Sequence, residues 1–161
     1  MTRAVIAYGA NLGDREATVA SATRAIAETE GVSLVAVSPV YESPAVRLDG
    51  VDPDAPRYLN GVIVVDTDLE PHVLLDRLKR IEDEHGRTRE TRWGDRTLDL
   101  DLIDVRGVRL ADDRLELPHP RAWERAFVLQ PWLDVEPDAE IAGRGAIAVL
   151  RAEATDEVIR R

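Results

Sequence analysis

The chain has 161 residues, of which 44% are hydrophobic and 32% are charged, and its formal net charge is −10. This length fits one domain over residues 1–161, and such a domain buries enough surface to need no disulfide or structural metal. The lack of cysteine excludes disulfides, thiolate metal sites and cysteine nucleophiles. The acidic balance is opposite to that of most duplex-DNA binders, and no apolar run approaches the ~18 residues of a membrane span. We therefore expect a cytoplasmic monomer without nucleic-acid or membrane partners.

The first half of the chain predicts three strands and a helix. Residues 3–8 form an apolar run that predicts a strand, and residues 15–30 carry apolar side chains at helical spacing. The valine-rich stretch 33–41 predicts a second strand. Residues 43–56 contain three prolines, a glycine and three aspartates, which predicts a long loop of a kind that is often functional. Residues 59–65 predict a third strand.

The second half predicts a helix, a charged loop and a fourth strand. Pro71 lies in the first turn of a helix that ends at Gly86, and its leucines recur on one side. Residues 87–96 form a charged loop, and residues 98–105 alternate in the manner of a strand. Weaker signals predict short strands on either side of residues 112–113 and a short helix over residues 121–127.

The predicted order is β-α-β-β-α-β followed by C-terminal additions. This order is typical of the α+β class with a ferredoxin-like core, in which helices pack on one face of an antiparallel sheet. Because this fold hosts enzymes, RNA binders and small-molecule sensors, it assigns no chemistry by itself.

The most informative residues lie on the fourth predicted strand. Asp99 and Asp101 are two positions apart, so their side chains point to one face with Cα atoms about 7 Å apart. Two carboxylates held in this way repel each other unless a cation lies between them, and oxygen ligands suit Mg²⁺. The apolar partners on the opposite face are Leu98, Leu100 and Leu102.

An isolated carboxylate pair most often marks the solvated face of a half-exposed sheet. Here the preceding loop carries Arg87, Arg89, Arg92 and Arg96 in an otherwise acidic chain. Arginines beside metal-binding carboxylates are typical of phosphoryl-transfer sites. A P-loop, a dinucleotide-binding glycine motif and a nucleophile elbow are all missing from the sequence. The spacing alone leaves both interpretations open.

Several motifs, in order along the chain, resemble those of the 6-hydroxymethyl-7,8-dihydropterin pyrophosphokinase family. The run RWGDRTLDLD at residues 92–101 is similar to the family signature, and the similarity extends to about residue 137. The other matching segments are residues 7–13, 58–60, 80–82, 86–89, 117–121 and 125–132.

The resemblance implies an enzyme that transfers the β,γ-diphosphate of ATP to the pterin hydroxymethyl group and releases AMP. It implies two Mg²⁺ ions held by Asp99 and Asp101, with Arg87, Arg89 and Arg96 completing the catalytic set. The residues implied for ATP binding are Glu82, Arg96, Ile103, Arg114 and His119. The residues implied for pterin binding are Ser43, Pro44, Val46, Tyr58, Asn60, Trp93, Arg125 and Phe127.

Three positions depart from the family pattern, namely Asp95, Glu116 and Pro120, and we expect them to alter affinities rather than the reaction. The alternative interpretation is a non-catalytic ferredoxin-like module that binds a small molecule or single-stranded RNA. An RNA-binding sheet needs exposed aromatic side chains and a basic surface. The chain is only 4% aromatic and strongly acidic, which disfavours that alternative.

Overall fold

The structure is a computed structural model that describes residues 1–11, 13–47, 50–52, 57–86 and 97–161, with the backbone alone for residues 45–47 and 50–52. The strands in chain order are β1 (Thr2–Ala10), β2 (Val32–Val37), β3 (Tyr41–Ser43), β4 (Ala45–Arg47), β5 (Gly50–Asp52), β6 (Tyr58–Thr67), β7 (Leu98–Val105), β8 (Leu110–Ala111), β9 (Glu116–Leu117), β10 (Glu140–Ile141), β11 (Gly145–Ala146) and β12 (Ile159–Arg160). The helices are α1 (Arg15–Ala27), α2 (Pro71–Gly86), α3 (Ala126–Val135) and α4 (Ile147–Glu153), with a 3₁₀ turn over Ala122–Glu124.

The main sheet is antiparallel and has the order β12-β3-β6-β1-β7, with β2 also paired to β6. The pieces β2 and β3 follow one another along the same side of β6. The sheet therefore reproduces the order of a β-α-β-β-α-β unit, which confirms the predicted ferredoxin-like fold.

One face of the sheet, called the first face below, is covered by α1 and α2. The predicted apolar stripe of α2 is buried there, and Ala22 and Ile26 of α1 join the same core. At the start of α1, the side chain of Asp14 accepts a hydrogen bond from the Ala17 N–H at 3.1 Å, which caps the helix. The strand residues that point into this core include Ile6, Tyr8, Ile63, Leu98, Leu100 and Leu102.

The opposite face, called the second face, is covered by α3 and α4. The two helices of the β-α-β-β-α-β unit share one face as expected, and the helices of the C-terminal additions cover the other. Trp132, Leu129 and Ile147 are fully buried there against the sheet. The C-terminal additions thus enclose a second core rather than extending the first. Their apolar side chains need this burial because the second face of β1 and β6 is itself apolar at Val5, Ala7, Val62 and Val64.

Three predicted elements differ in the structure. The single strand expected over residues 33–41 is divided into β2 and β3 because Pro39 has no N–H to donate to the ladder. The loop expected over residues 43–56 contains the paired strands β4 and β5. The helix expected over residues 121–127 is a 3₁₀ turn followed by α3, which continues through Pro131 to Val135.

The remaining short elements agree with the sequence. The strands expected on either side of residues 112–113 are β8 and β9, and they pair with each other. Of the helices in the described parts of the chain, none combines the length and the apolarity that crossing a membrane would require.

Candidate active site

A cavity of about 620 Å³, called the site cavity below, opens on the second face where β1 ends and β7 begins. The 3₁₀ turn and α3 border the site cavity, and farther along the sheet α3 and α4 close the second face. The sheet register sets the floor, because Gly9 pairs with Asn60 on one side and with Asp99 on the other. The residues that line the site cavity are Ala7, Tyr8, Gly9, Ser43, Pro44, Tyr58, Asn60, Asp99, Asp101, Arg121, Glu124, Arg125, Phe127, Val128 and Asp156.

The predicted carboxylate pair lies on the second face, at the site cavity. Asp99 is partly buried and Asp101 is exposed, whereas Leu98, Leu100 and Leu102 point into the first core. The alternation of a strand therefore separates the charged and apolar side chains as the sequence predicts. Two carboxylates here face a solvent-accessible space in which a cation can reach both.

The donor set suits Mg²⁺ bound together with phosphate. Within the described residues no group of three or more histidines or acidic side chains is arranged to hold a metal. Such a group is not required, because Mg²⁺ keeps several waters and is usually held by one or two carboxylates plus substrate phosphates. Asp99 and Asp101 supply those carboxylates beside a space large enough for the phosphates.

One wall of the site cavity is formed by the buried side-chain amide of Asn60, which the Ser43 hydroxyl holds in place. The Asn60 side chain is 3% exposed, and its Nδ2 donates to Ser43 Oγ at 2.6 Å and to the Tyr58 carbonyl at 3.4 Å. The Asn60 Oδ1 atom points toward Gly9, where an added Cβ would lie 3.7 Å from it. An oriented amide oxygen therefore faces the floor of the site cavity, where it can accept a hydrogen bond from a ligand.

Two aromatic side chains border the same space. Tyr58 begins β6 beside Ser43, and Phe127 lies in the first turn of α3. Both rings are partly exposed, so neither is enclosed in the core. The guanidinium of Arg125 lies 5.6 Å from the centroid of the Phe127 ring. These side chains offer flat apolar surfaces and one cation to a planar ligand.

His119 lies next to the carboxylate pair but does not line the site cavity. Its backbone N–H donates to the Ile103 carbonyl at 2.8 Å, and its Nδ1 accepts from the Arg121 N–H at 3.2 Å. Burial lowers the pKa of His119, and the charge of Asp101 opposes that shift. The neutral ring with Nδ1 accepting carries its proton on Nε2, which can therefore donate to an anion.

The other residues implied for ATP binding lie apart from the site cavity. Ile103 is 1% exposed in the second core, so its side chain offers no surface to a ligand. Glu82 accepts a hydrogen bond from the Leu100 N–H at 2.7 Å, at the outer edge of β7. Arg114 is exposed and forms an ion pair with Asp76 of α2. A nucleotide contact at each of these positions stays a prediction.

Several predicted site residues lie outside the described residues, namely Arg87, Arg89, Trp93 and Arg96, as do Arg92 and Asp95. Val46 lies in β4, where only the backbone is described. Conversely, the structure brings Arg121, Glu124 and Asp156 to the site cavity, and none of them is among the site residues predicted from the sequence. Asp156 could not have been found from the sequence pattern, because it follows α4 and belongs to none of the matching motifs.

The fold and the site cavity define a small α+β domain of the ferredoxin-like class, with two carboxylates in a cavity that two aromatic side chains and a buried amide also line. Residues 5–137 match the family 7,8-dihydro-6-hydroxymethylpterin-pyrophosphokinase (HPPK), and the chain belongs to this family. Membership confirms the enzyme class expected from the motifs, a pyrophosphokinase of folate biosynthesis. It gives no support to the non-catalytic alternative.

Similar proteins agree with this assignment. The chain is 40% identical to a 2-amino-4-hydroxy-6-hydroxymethyldihydropteridine pyrophosphokinase of Methylorubrum extorquens, over 98% of this chain and 99% of that protein. It is 42% identical to the enzyme of the same name from Pseudomonas aeruginosa, over 99% and 96% of the two chains. A crystal structure of Plasmodium falciparum HPPK-DHPS with pteroate matches the fold with a TM-score of 0.70 at 13% identity. That match covers 94% of this chain and 42% of the solved one.

Proposed function

We propose that the chain transfers the β,γ-diphosphate of ATP to the hydroxymethyl oxygen of 6-hydroxymethyl-7,8-dihydropterin and releases AMP, a step toward tetrahydrofolate. The observation that carries this proposal is the position of Asp99 and Asp101 on the wall of a cavity that also contains Tyr58, Phe127 and Asn60. Groups suited to a metal-bound triphosphate thus lie beside groups suited to a flat heterocycle.

The pterin binds between the aromatic side chains, with its polar edge toward the sheet. Tyr58 and Phe127 stack on the ring faces. Asn60 Oδ1 accepts from a ring N–H or the exocyclic amino group, and the hydrogen bond from Nδ2 to Ser43 holds the amide in that orientation. Backbone groups near Pro44 and Val46 complete the edge. The guanidinium of Arg125, over Phe127, offers a positive charge beside the bound ring.

The triphosphate of ATP lies across the carboxylate pair. Asp99 and Asp101 would hold two Mg²⁺ ions, which would neutralise charge on the phosphate oxygens. The Nε2–H of His119 donates to a phosphate oxygen, which suits the neutral ring that burial favours. We assign Arg87, Arg89 and Arg96 to the phosphates as well, and Trp93 to the pterin. We assign Glu82, Arg114 and the backbone of Ile103 to the nucleoside.

The reaction forms a bond between the pterin hydroxymethyl oxygen and the β-phosphorus. The bond from that phosphorus to the oxygen of AMP breaks, AMP departs with the electron pair, and the hydroxyl proton passes to solvent. The protein contributes chiefly by holding the two substrates in line and by balancing charge. We further propose that the chain works as a cytoplasmic monomer whose ligands are ATP and the pterin alone.

The test is an incubation of the purified chain with ATP, Mg²⁺ and the reduced hydroxymethylpterin. We expect AMP, not ADP, together with the pterin diphosphate. The variants Asp99→Asn and Asp101→Asn should each lose activity by ~10³-fold, since each removes a charged metal ligand worth several kcal/mol. Circular dichroism and thermal unfolding should show that both variants remain folded.

The matched control is Asp104→Asn, which removes a third carboxylate from the same strand. Asp104 lines a different cavity, beyond the second core, and should leave the rate of AMP release unchanged. Production of ADP by the parent chain would contradict the proposed reaction. Full activity in either Asp99→Asn or Asp101→Asn would contradict the metal assignment.

A further inference from the structure

The helix α3, which carries Phe127 and directly follows Arg125, does not supply its own N-terminal cap. Arg125, which precedes α3, has an extended backbone and no side-chain hydrogen bond to the helix. The N–H of Ala126, the first helical residue, instead donates to both carboxylate oxygens of Asp156 at 2.8 and 3.0 Å. Ala126 is fully buried, so this amide needs the partner that the distant carboxylate provides.

The position of this bond connects it to the site cavity. Ala126 stands between Arg125 and Phe127, and consecutive Cα atoms are about 3.8 Å apart. Holding the amide of Ala126 therefore fixes the start of α3 and limits where the Arg125 and Phe127 side chains can lie. A carboxylate at a helix N-terminus is also favoured by the helix dipole. Asp156 itself lines the site cavity.

The residues that follow Asp156 reach the other wall of the same cavity. Residues 154–161 are called the tail below. In it, Ile159 pairs with Glu42 of β3, and the Arg161 N–H donates to the Val40 carbonyl at 2.9 Å. The next residue along β3 is Ser43, which holds the Asn60 amide. The tail thus connects the start of α3 with the strand that supports the polar wall.

We propose that Asp156 is a positioning residue for pterin binding, acting through the N-terminus of α3 on Arg125 and Phe127. This inference rests on the proposed function, because it assumes that these two side chains contact the pterin. The tail lies outside residues 5–137, over which the family is matched, so its role does not follow from family membership. We expect a larger effect on pterin binding than on ATP binding, because the carboxylate pair and His119 belong to β7 and the segment after it.

The experiment compares Asp156→Ala, Asp156→Asn and Glu157→Gln in the full chain. Asp156→Ala removes the acceptor, and we expect the KM and the Kd for the pterin to rise about five- to tenfold because Arg125 and Phe127 are no longer held in place. The Kd for a non-hydrolysable ATP analogue with Mg²⁺ should stay within twofold of the parent value. Asp156→Asn keeps an acceptor oxygen of the same reach, so it should restore most of the pterin affinity.

Glu157→Gln is the matched control. Glu157 is the neighbouring acid of the tail, and its ion pair with Arg57 at 3.3 Å is half-exposed, so we expect pterin binding to stay unchanged. Thermal unfolding of each variant separates a lower stability from a displaced site, since lower stability alone leaves the Kd values of the folded fraction unaltered.

Three outcomes would overturn the inference: unchanged pterin affinity in Asp156→Ala, an equal loss of ATP-analogue affinity, or an Asp156→Asn variant as impaired as Asp156→Ala. Phe127→Ala distinguishes this failure from a failure of the proposed function. If Phe127→Ala loses pterin affinity while Asp156→Ala does not, only the positioning role is wrong. If the parent chain does not bind the pterin, the proposed function itself is wrong.

Discussion

The two faces of the sheet use the same strands for different purposes. The first face is closed by α1 and α2, and the side chains of β7 that point there, three leucines and Val105, belong to a continuous core. The second face is closed at one end by α3 and α4 and open at the other, where Asp99 and Asp101 meet the site cavity. Because side chains alternate over residues 98–102, a substitution there should alter stability if the side chain points to the first face and activity if it points to the site cavity.

Leu100→Ala gives the largest expected effect on stability. Leu100 lies between Asp99 and Asp101 but is 3% exposed in the first core, so its truncation leaves a cavity. We expect the free energy of unfolding to fall by about 2–5 kcal/mol, as for other buried Leu→Ala changes. Urea unfolding followed by tryptophan fluorescence measures it.

Asp101→Asn changes the next residue of β7, on the opposite face, and should have the opposite effect to Leu100→Ala. The folded fraction of Leu100→Ala should keep kcat within a few-fold of the parent value, whereas Asp101→Asn should keep its stability and lose its turnover. A Leu100→Ala variant that is as stable as the parent but inactive would contradict the division of the strand into a structural and a functional face.

Two glycines on neighbouring strands offer a second test of the same division. An added Cβ at Gly9 would lie 3.6 Å from Tyr58 Cδ1 and 3.7 Å from Asn60 Oδ1, which are ordinary contacts, so Ala fits the folded chain. The methyl group would occupy the floor of the site cavity. We expect Gly9→Ala to weaken pterin binding about tenfold, equal to about 1.4 kcal/mol, with unchanged or slightly higher stability.

Gly61→Ala is the control for Gly9→Ala, because it adds the same methyl group toward the first face. There the new Cβ would lie 2.2 Å from the Tyr8 hydroxyl oxygen, which must then move within a packed core. We expect Gly61→Ala to lower the free energy of unfolding by about 1–3 kcal/mol. A Gly9→Ala variant with normal pterin affinity would show that the ring does not reach the floor.

The features that the sequence predicted are those set by local periodicity. The alternation of β7 assigned Asp99 and Leu100 to opposite faces, and the spacing of the leucines in α2 identified its buried side, since both patterns repeat within a few residues. The structure adds what local patterns do not contain. The cap on α3 joins Ala126 and Asp156, which are 30 positions apart in the sequence. The full length of α3 was not predicted because it contains Pro131, a residue that disfavours the interior of a helix.

A smaller effect on stability than that of Leu100→Ala is expected at the far end of the second face, where a carboxylate lies beyond the second core. Burial raises the pKa of Asp104 to about 6, although Arg106 partly opposes this shift. Asp104 lines a cavity of about 500 Å³ with Arg3 and Glu136, which hydrogen-bond each other at 3.1 Å. The structure therefore favours the protonated form of Asp104 more strongly than the unfolded chain does.

The sign of the pH dependence follows from this shift. Below pH 3.8 Asp104 is protonated in both the folded and the unfolded chain. As the pH rises from 3.8 to about 6, the carboxyl ionises more readily in the unfolded chain, so the free energy of unfolding falls. The full loss of stability is reached above pH 6. Asp104→Asn removes the ionisation, and we expect it to stabilise the chain by about 1–2 kcal/mol at pH 7.5, after allowance for partial exposure. Urea unfolding at pH 4.5 should show a clearly smaller difference. An equal difference at both pH values would mean that lost contacts, not the charge, account for the change.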